Sequence, residues 1–398
     1  MKYIKRDIEN HFKKEADFYP IIAVIGARQV GKTTLIRNCF SHKQYINFED
    51  PAVRDFFNTD PVSFIDKYKA GAIFDEVQLV PSLFSYLQIL VDENKKNGQF
   101  IISGSQNLLI SEKISQSLAG RVSIIELYPF SFNELRLAGS LPISKYSAIF
   151  TGAYPPVYDR SIPPESWYKN YIETYIQKDI RNLLKIRDIN SFKKVLELCA
   201  LNVGQLFNLE AIATASGVSR STVYSWLSIL EQTYIIYFLR PYHNNYSKRI
   251  IKTPKLYFYD TGVLCNLINL GENDLSSGIN LNFTGHLFEN LIVSEIKKEI
   301  SNLNKNLNLY FWRDSNKHEI DLIIEKGGEN VPIEIKMSST FKSDYANVLI
   351  KWQNITNQNT ELAYVIYGGS EEIKIKNIYY IPWNQLNKIF SHQLTLLK

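Results

Sequence analysis

Cysteine is scarce in this chain: among 398 residues only Cys39, Cys199 and Cys265 occur, odd in number and far apart. That spacing excludes a disulfide framework and a cysteine zinc site, and leaves the thiols as small buried hydrophobes. Long apolar runs are missing as well. No uncharged stretch approaches the roughly 18 residues of a membrane span, and the N-terminal MKYIKRDIENHFKKEADF is charged where a secretion signal needs an apolar core. A cytoplasmic location and no membrane partner are expected. Neither an internal repeat nor a low-complexity tract is present. Charge of one sign is also lacking, since 45 Lys and Arg face 40 Asp and Glu for a net +5. The excess lies mid-chain, where residues 161–255 hold 13 basic against 7 acidic side chains. It points weakly to a polyanionic partner and equally to a solvated face.

What the chain does have is apolar material, 45% of residues against 21% charged, which suits a globular protein of several domains. Up to about residue 135, short apolar runs (IIAVIG, QYINFED, AGAIFDE, GQFIISGS, VSIIELYPF) alternate with stretches long enough for crossover helices. This rhythm predicts an α/β domain whose parallel sheet is covered on both faces. Pro, Gly and Ser cluster between residues 139 and 166 and mark a boundary. Expected domains are 1–140, a phosphate-loop α/β domain; 141–195, a helical lid or linker; 196–260, a winged helix-turn-helix region; and 261–398, a mixed αβ module.

Gly26, Gly31, Lys32 and Thr33, in IGARQVGKTTL, fit G-x-x-x-x-G-K-[ST] between a strand and a helix. Small residues let several backbone N–H groups aim at one anion, and the helix N-terminus adds its positive end. ATP is the expected ligand. Lys32 would reach its β- and γ-phosphates, Thr33 would ligate Mg²⁺, and Thr34 lies beside them. The strand AIFDE then supplies Asp75 for the metal's hydration shell and Glu76 to polarise an attacking water. The tip of FIISGS, between those two strands, offers Ser105, or Gln106, as a sensor of the γ-phosphate. Arg121, in SLAGRVSII, suits charge stabilisation in a neighbouring subunit, or pairs with a surface acid.

GARQVGKTT, AIFDEVQLVPS, FIISGSQNLL, SLAGRV and ELYPFSFNEL together resemble a prokaryotic group of AAA-type ATPases. GAYPPVY, YIQKDIRNLL and PKLYFYDTGVL extend the likeness into that group's C-terminal conserved domain of unknown function, over roughly residues 15 to 340. The resemblance implies an additional-strand, catalytic-glutamate ATPase fold and a homo-oligomer. It leaves the biological role open.

LEAIATASGVSRSTVYSWLSILEQTYII, residues 209 to 236, reads as a helix-turn-helix in which Ala213 permits close crossing and Gly217 the turn. Ser219, Arg220, Ser221 and Tyr224 would open the second helix, where a DNA reader presents side chains, with YIIYFLRPY as wing strands. Lys248, Arg249, Lys252 and Lys255, interleaved with Tyr246 and Tyr257, suggest phosphate contacts. A module used only for packing is the alternative.

In VPIEIKMS, Glu334 and Lys336 leave one face of a strand, and HEIDLIIE places Asp321 across a KGGEN turn. The set resembles the D…(D/E)-x-K site of restriction-endonuclease-like enzymes, and Glu289 in GHLFENL fits their helix-borne acid. The resemblance implies Mg²⁺ on the carboxylates, Lys336 at the attacking water, and His318 and Arg313 near phosphate. The usual Pro before the first Asp is absent, Ile320 standing there. Two expectations stay open: a DNA-cleaving ATPase, and a nucleotide switch or DNA-binding regulator that cuts nothing.

Overall fold

Five short runs line up as one parallel sheet. They are β1 (Ile21–Ile25), β2 (Gln44–Asn47), β3 (Ala72–Asp75), β4 (Phe100–Gly104) and β5 (Val122–Glu126), in the order β2-β3-β4-β1-β5. The three central strands are buried on both faces, as helix-covered parallel strands require, whereas β2 and β5 at the edges are partly open. The computed structural model describes residues 3–104, 117–175, 188–242, 252–278, 281–356 and 362–392. The chain divides into two units, residues 3–130 with 232–234, and residues 131–231 with 235–398.

In the first unit an aromatic stack, Phe48, Phe57, Phe64, Phe74 and Phe100, fills the space between the sheet and the helices Pro51–Thr59 and Pro61–Tyr68. Asp50 and Asp60 cap those two helices from their own side chains, each followed by Pro at the first position. β4 lies between β1 and β3, so the phosphate-loop strand and the Asp75 strand are separated by one added strand.

The second unit holds an eight-stranded mixed sheet. Its strands are β6 (Ile236–Pro241), β7 (Lys255–Phe258), β8 (Asn308–Arg313), β9 (Glu319–Lys326), β10 (Glu329–Lys336), β11 (Ala363–Tyr367), β12 (Ile373–Ile375) and β13 (Ile378–Pro382). They run in the order β12-β13-β11-β10-β9-β8-β6-β7. β6 and β7 pair antiparallel, as a wing would, but β6 also pairs with β8, which makes them part of the C-terminal sheet. Gly327 and Gly328, both at positive φ, close the two-residue turn between β9 and β10. Trp312, Ile320, Ile323, Leu349 and Trp352 pack the helix Asn347–Thr356 onto the sheet. The helices Leu209–Ser216 and Arg220–Gln232 meet at Gly217, whose φ of 76° gives the turn that a side chain would strain. Among the described residues no helix is long and apolar enough to cross a membrane.

Candidate functional site

β1 ends at Ile25, and the chain enters the helix Lys32–Cys39 through two glycines that have no substitute. Gly26, at φ 152°, lies so close to the Leu127 carbonyl that a Cβ would overlap it, and Gly31 caps the helix at φ 93°. Lys32 is buried, and its ammonium donates to the carbonyls of Gly26 at 3.0 Å and Ala27 at 2.8 Å. The cation is thereby held over the loop. Thr33 and Thr34 follow in the helix's first turn.

Asp75, at the C-terminal end of β3, is the hub. Thr33 Oγ1 and the Tyr45 hydroxyl each donate to Oδ2 over 2.7 Å, while Ser103 Oγ donates to Oδ1 over 2.5 Å. The Glu76 N–H adds a contact of 3.1 Å to Oδ1. Burial, then the hydrogen bond to Asp75, pushes the Tyr45 phenol well above its usual range. Glu76 adopts a left-handed conformation, φ 57° and ψ 44°, rare for a residue with a side chain, and its carboxylate accepts from Gln78 Nε2. The loop lysine, both candidate metal groups and the candidate glutamate thus gather at the C-terminal ends of β1 and β3. Ser103 and Tyr45 escaped the sequence reading, although a serine inside an otherwise apolar, buried strand is a usable signal.

Arg121 lies elsewhere. Its carbonyl accepts from Ile21 N–H at the start of β1, the opposite end of the sheet from the loop, roughly 15 Å away for strands of this length. Its guanidinium grips Asp92 with Nε–Oδ1 at 2.6 Å and Nη2–Oδ2 at 2.9 Å. In its own domain it therefore serves a surface pair. Ser105 and Gln106 lie outside the described residues, as do Tyr246, Lys248 and Arg249.

In the second unit Asp321, Glu334, Lys336 and Glu289 do converge, from β9, β10 and the long helix Leu281–Asn302. Asp321 Oδ2 accepts from the Ile335 N–H at 2.8 Å, and Lys336 lies against Glu334. Burial, then repulsion from Glu289, lifts Asp321 to about 6; burial, then Asp321, lifts Glu334 well above the carboxylate range. Burial opposes charge on Glu289 too, yet Lys255 and hydrogen bonds from His286, Lys255 and Tyr257 bring it down to about 2. Lys255 and Tyr257 correct the sequence reading. Both are buried, Lys255 being only 2% exposed, so neither offers a surface to phosphate. Among the described residues no group of three or more His, Cys, Asp or Glu is placed to hold a metal ion.

On the helix Arg220–Gln232, Arg220, Ser221 and Tyr224 are exposed. Ser219 caps the second helix through the Thr222 N–H, and Arg220 pairs with Glu210 at 2.9 Å in solvent. Arg313 and His318 are taken up by Glu319 and Asp314, each at 2.8 Å.

Comparison with known proteins matches the chain in three segments. Residues 19–136 match a family model described as an AAA domain, while residues 145–274 and 284–386 match two domains of unknown function, DUF8612 and DUF4143. An uncharacterized protein of Mycobacterium tuberculosis is 27% identical over 84% of this chain and 74% of its own length. One from Methanocaldococcus jannaschii is 26% identical over 94% of this chain and 88% of its own. Among solved structures, the Walker-type ATPase of Pyrococcus abyssi covers 67% of this chain and 96% of its own at 16% identity, with a TM-score of 0.45. The family match and the strand order β2-β3-β4-β1-β5 agree independently of that structural likeness. Residues 19–136 are thus similar to an AAA domain, in a chain whose remaining matches are to domains of unknown function.

Proposed function

We propose that the N-terminal unit hydrolyses ATP. The observation that carries this reading is the meeting of Lys32, Thr33 and Asp75 at one end of the sheet with Glu76 next in chain. Lys32, already poised over the loop, binds phosphate oxygens as a point charge. The Gly26–Gly31 turn lets backbone N–H groups approach the triphosphate without a Cβ between them. Thr33 and Asp75 are the residues that would hold Mg²⁺, a hard cation that takes oxygen ligands and neutralises phosphate charge when bound. Glu76, fixed by its backbone conformation and by Gln78, is oriented to polarise a water. Ser103 and Tyr45 keep Asp75 in one rotamer and so keep Thr33 in register.

The measurement is phosphate release by the full chain. Lys32→Ala is expected to lose nucleotide binding, and Glu76→Gln to bind ATP with turnover lowered at least about 100-fold. Turnover equal to wild type in both variants would remove the site.

The same reading extends to DNA as the partner of the second unit. Exposed Arg220, Ser221 and Tyr224 on a surface helix, after a tight glycine turn, support it. Fluorescence anisotropy with duplex DNA should show affinity that falls with salt and falls further in Arg220→Ala with Tyr224→Ala. Salt-independent binding indifferent to both changes would sink this part alone.

A further inference from the structure

Of the carboxylates that a restriction-endonuclease-like site would offer to a divalent cation, Glu289 and one oxygen of Glu334 already hold lysines belonging to the chain, while Asp321 accepts from backbone and Glu334 Oε2 is buried without a partner. Lys255, on β7, places Nζ 2.9 Å from Glu289 Oε1 and 2.5 Å from Glu319 Oε1. Tyr257, two residues along the same strand, donates to Glu289 Oε1 over 2.5 Å. The other Glu319 oxygen takes Arg313 Nη1 at 2.8 Å. Lys336 lies against Glu334, and Asp321 accepts from backbone. Lys255, Lys336 and Arg313 therefore face Glu289, Glu319, Asp321 and Glu334, and the cluster approaches neutrality with no added ion.

A hard divalent cation needs several carboxylate or water oxygens at about 2.0–2.6 Å. Here Glu289 Oε1 is shared by an ammonium and a phenol, and any ion seated beside it would face the Lys255 charge in a setting where water cannot screen the repulsion. The donor set does not fit the metal that the motif implies. Lys255 could not be drawn away to solvent by a change of rotamer, because it is 2% exposed and also lies over the Phe311 ring, 5.6 Å from its centroid.

We infer that Lys255 occupies the divalent cation's place in this cluster, which makes the cluster a metal-independent tie between β7, the long helix Leu281–Asn302 and β9. The module then keeps the geometry of a nuclease-like sheet, with carboxylates converging on one spot, but uses it to fasten the strand pair β6–β7 to the rest of its unit. It does not cleave phosphodiesters through a metal.

The test counts bound Mn²⁺ by electron paramagnetic resonance on the nucleotide-free full chain. Wild type and Glu334→Gln are expected to bind equal numbers of ions. Lys255→Gln is expected to bind one more ion per chain, which the added change Glu334→Gln removes. Loss of an ion on Glu334→Gln in the wild-type background would overturn the inference, as would a folded Lys255→Gln that gains none. Should Lys255→Gln fail to fold, the comparison of wild type with Glu334→Gln and with Asp321→Asn still decides. Supercoiled plasmid incubated with Mn²⁺ should stay intact, and nicking that Glu334→Gln abolishes would count against it. Ions at Thr33 and Asp75 cancel in every comparison, so failure of the ATPase reading leaves this test unaffected.

Discussion

The Thr33 hydroxyl donates to Asp75 Oδ2 across 2.7 Å, so the residue that completes the phosphate-loop motif and the acid that ends β3, 42 positions later, are in direct contact. The contact ties helix to sheet through a group that the proposed ATP hydrolysis would use. Asp75→Ala would strip Thr33, Tyr45 and Ser103 of their shared acceptor at once. A loss of about 1–3 kcal/mol in unfolding free energy is expected from the stranded hydroxyls, together with loss of Mg²⁺-dependent turnover. Urea denaturation and phosphate release check the two halves separately; an unchanged denaturation midpoint would contradict the hub described here.

Gly26→Ala tests the loop itself. Its Cβ would meet the Leu127 carbonyl, and its φ of 152° disfavours any side chain. Destabilisation of about 2 kcal/mol or more is expected, because backbone overlap has no flexible side-chain end to absorb it. A fluorescent-nucleotide titration should show affinity at least about tenfold weaker, in line with a displaced loop. Wild-type affinity and stability in this variant would refute the close approach.

Arg121 is partly exposed and engaged by Asp92, at the end of the sheet away from the loop, so any part in turnover must be played on a neighbouring copy. Arg121→Ala should leave the melting temperature unchanged, as expected for an exposed pair. Turnover per protomer should fall at protein concentrations where light scattering detects assembly, with ATP binding intact. A rate that matches wild type at every concentration takes the residue out of the mechanism.

Asp321 and Glu289 impose opposite pH dependences on the second unit. Asp321 is raised from 3.8 to about 6, so the folded chain binds a proton that the unfolded chain has released, and stability rises as pH falls from about 7 towards 4. Glu289 is lowered from 4.5 to about 2, so its contribution is full above about 4.5 and is lost as pH falls towards 2. Asp321→Asn should reduce the rise between pH 7 and pH 4.5, leaving the part that Glu334, raised in the same way, contributes, while sparing the acid-side loss. Urea titrations followed by near-ultraviolet circular dichroism at these pH values give the answer, and a variant profile parallel to wild type over that interval would be decisive against it.

Much of the first unit was legible before folding. A run such as IIAVIG followed by GARQVGKTT can only be a buried strand feeding a glycine-rich turn and helix, since both signals act within a dozen residues. AIFDE could be placed for the same reason. Ser103 stands out within its apolar strand, but its partner, and any role for Tyr45, come from which strands lie side by side, and the order β2-β3-β4-β1-β5 is set by long-range packing.

In the second unit the sequence by itself determined the β9–β10 hairpin, the facing of Asp321 towards Glu334 and Lys336, and the glycine turn between the two surface helices. Alternation and turn chemistry are local and sufficient for that. Only the tertiary structure decided that β7 joins the same sheet and carries Lys255 into the carboxylates. Read along the chain, Lys255 belongs to a basic surface stretch; in the fold it is among the most buried charges present, because the cost of burying an ammonium is met by Glu289 and Glu319 from segments 34 and 64 residues away.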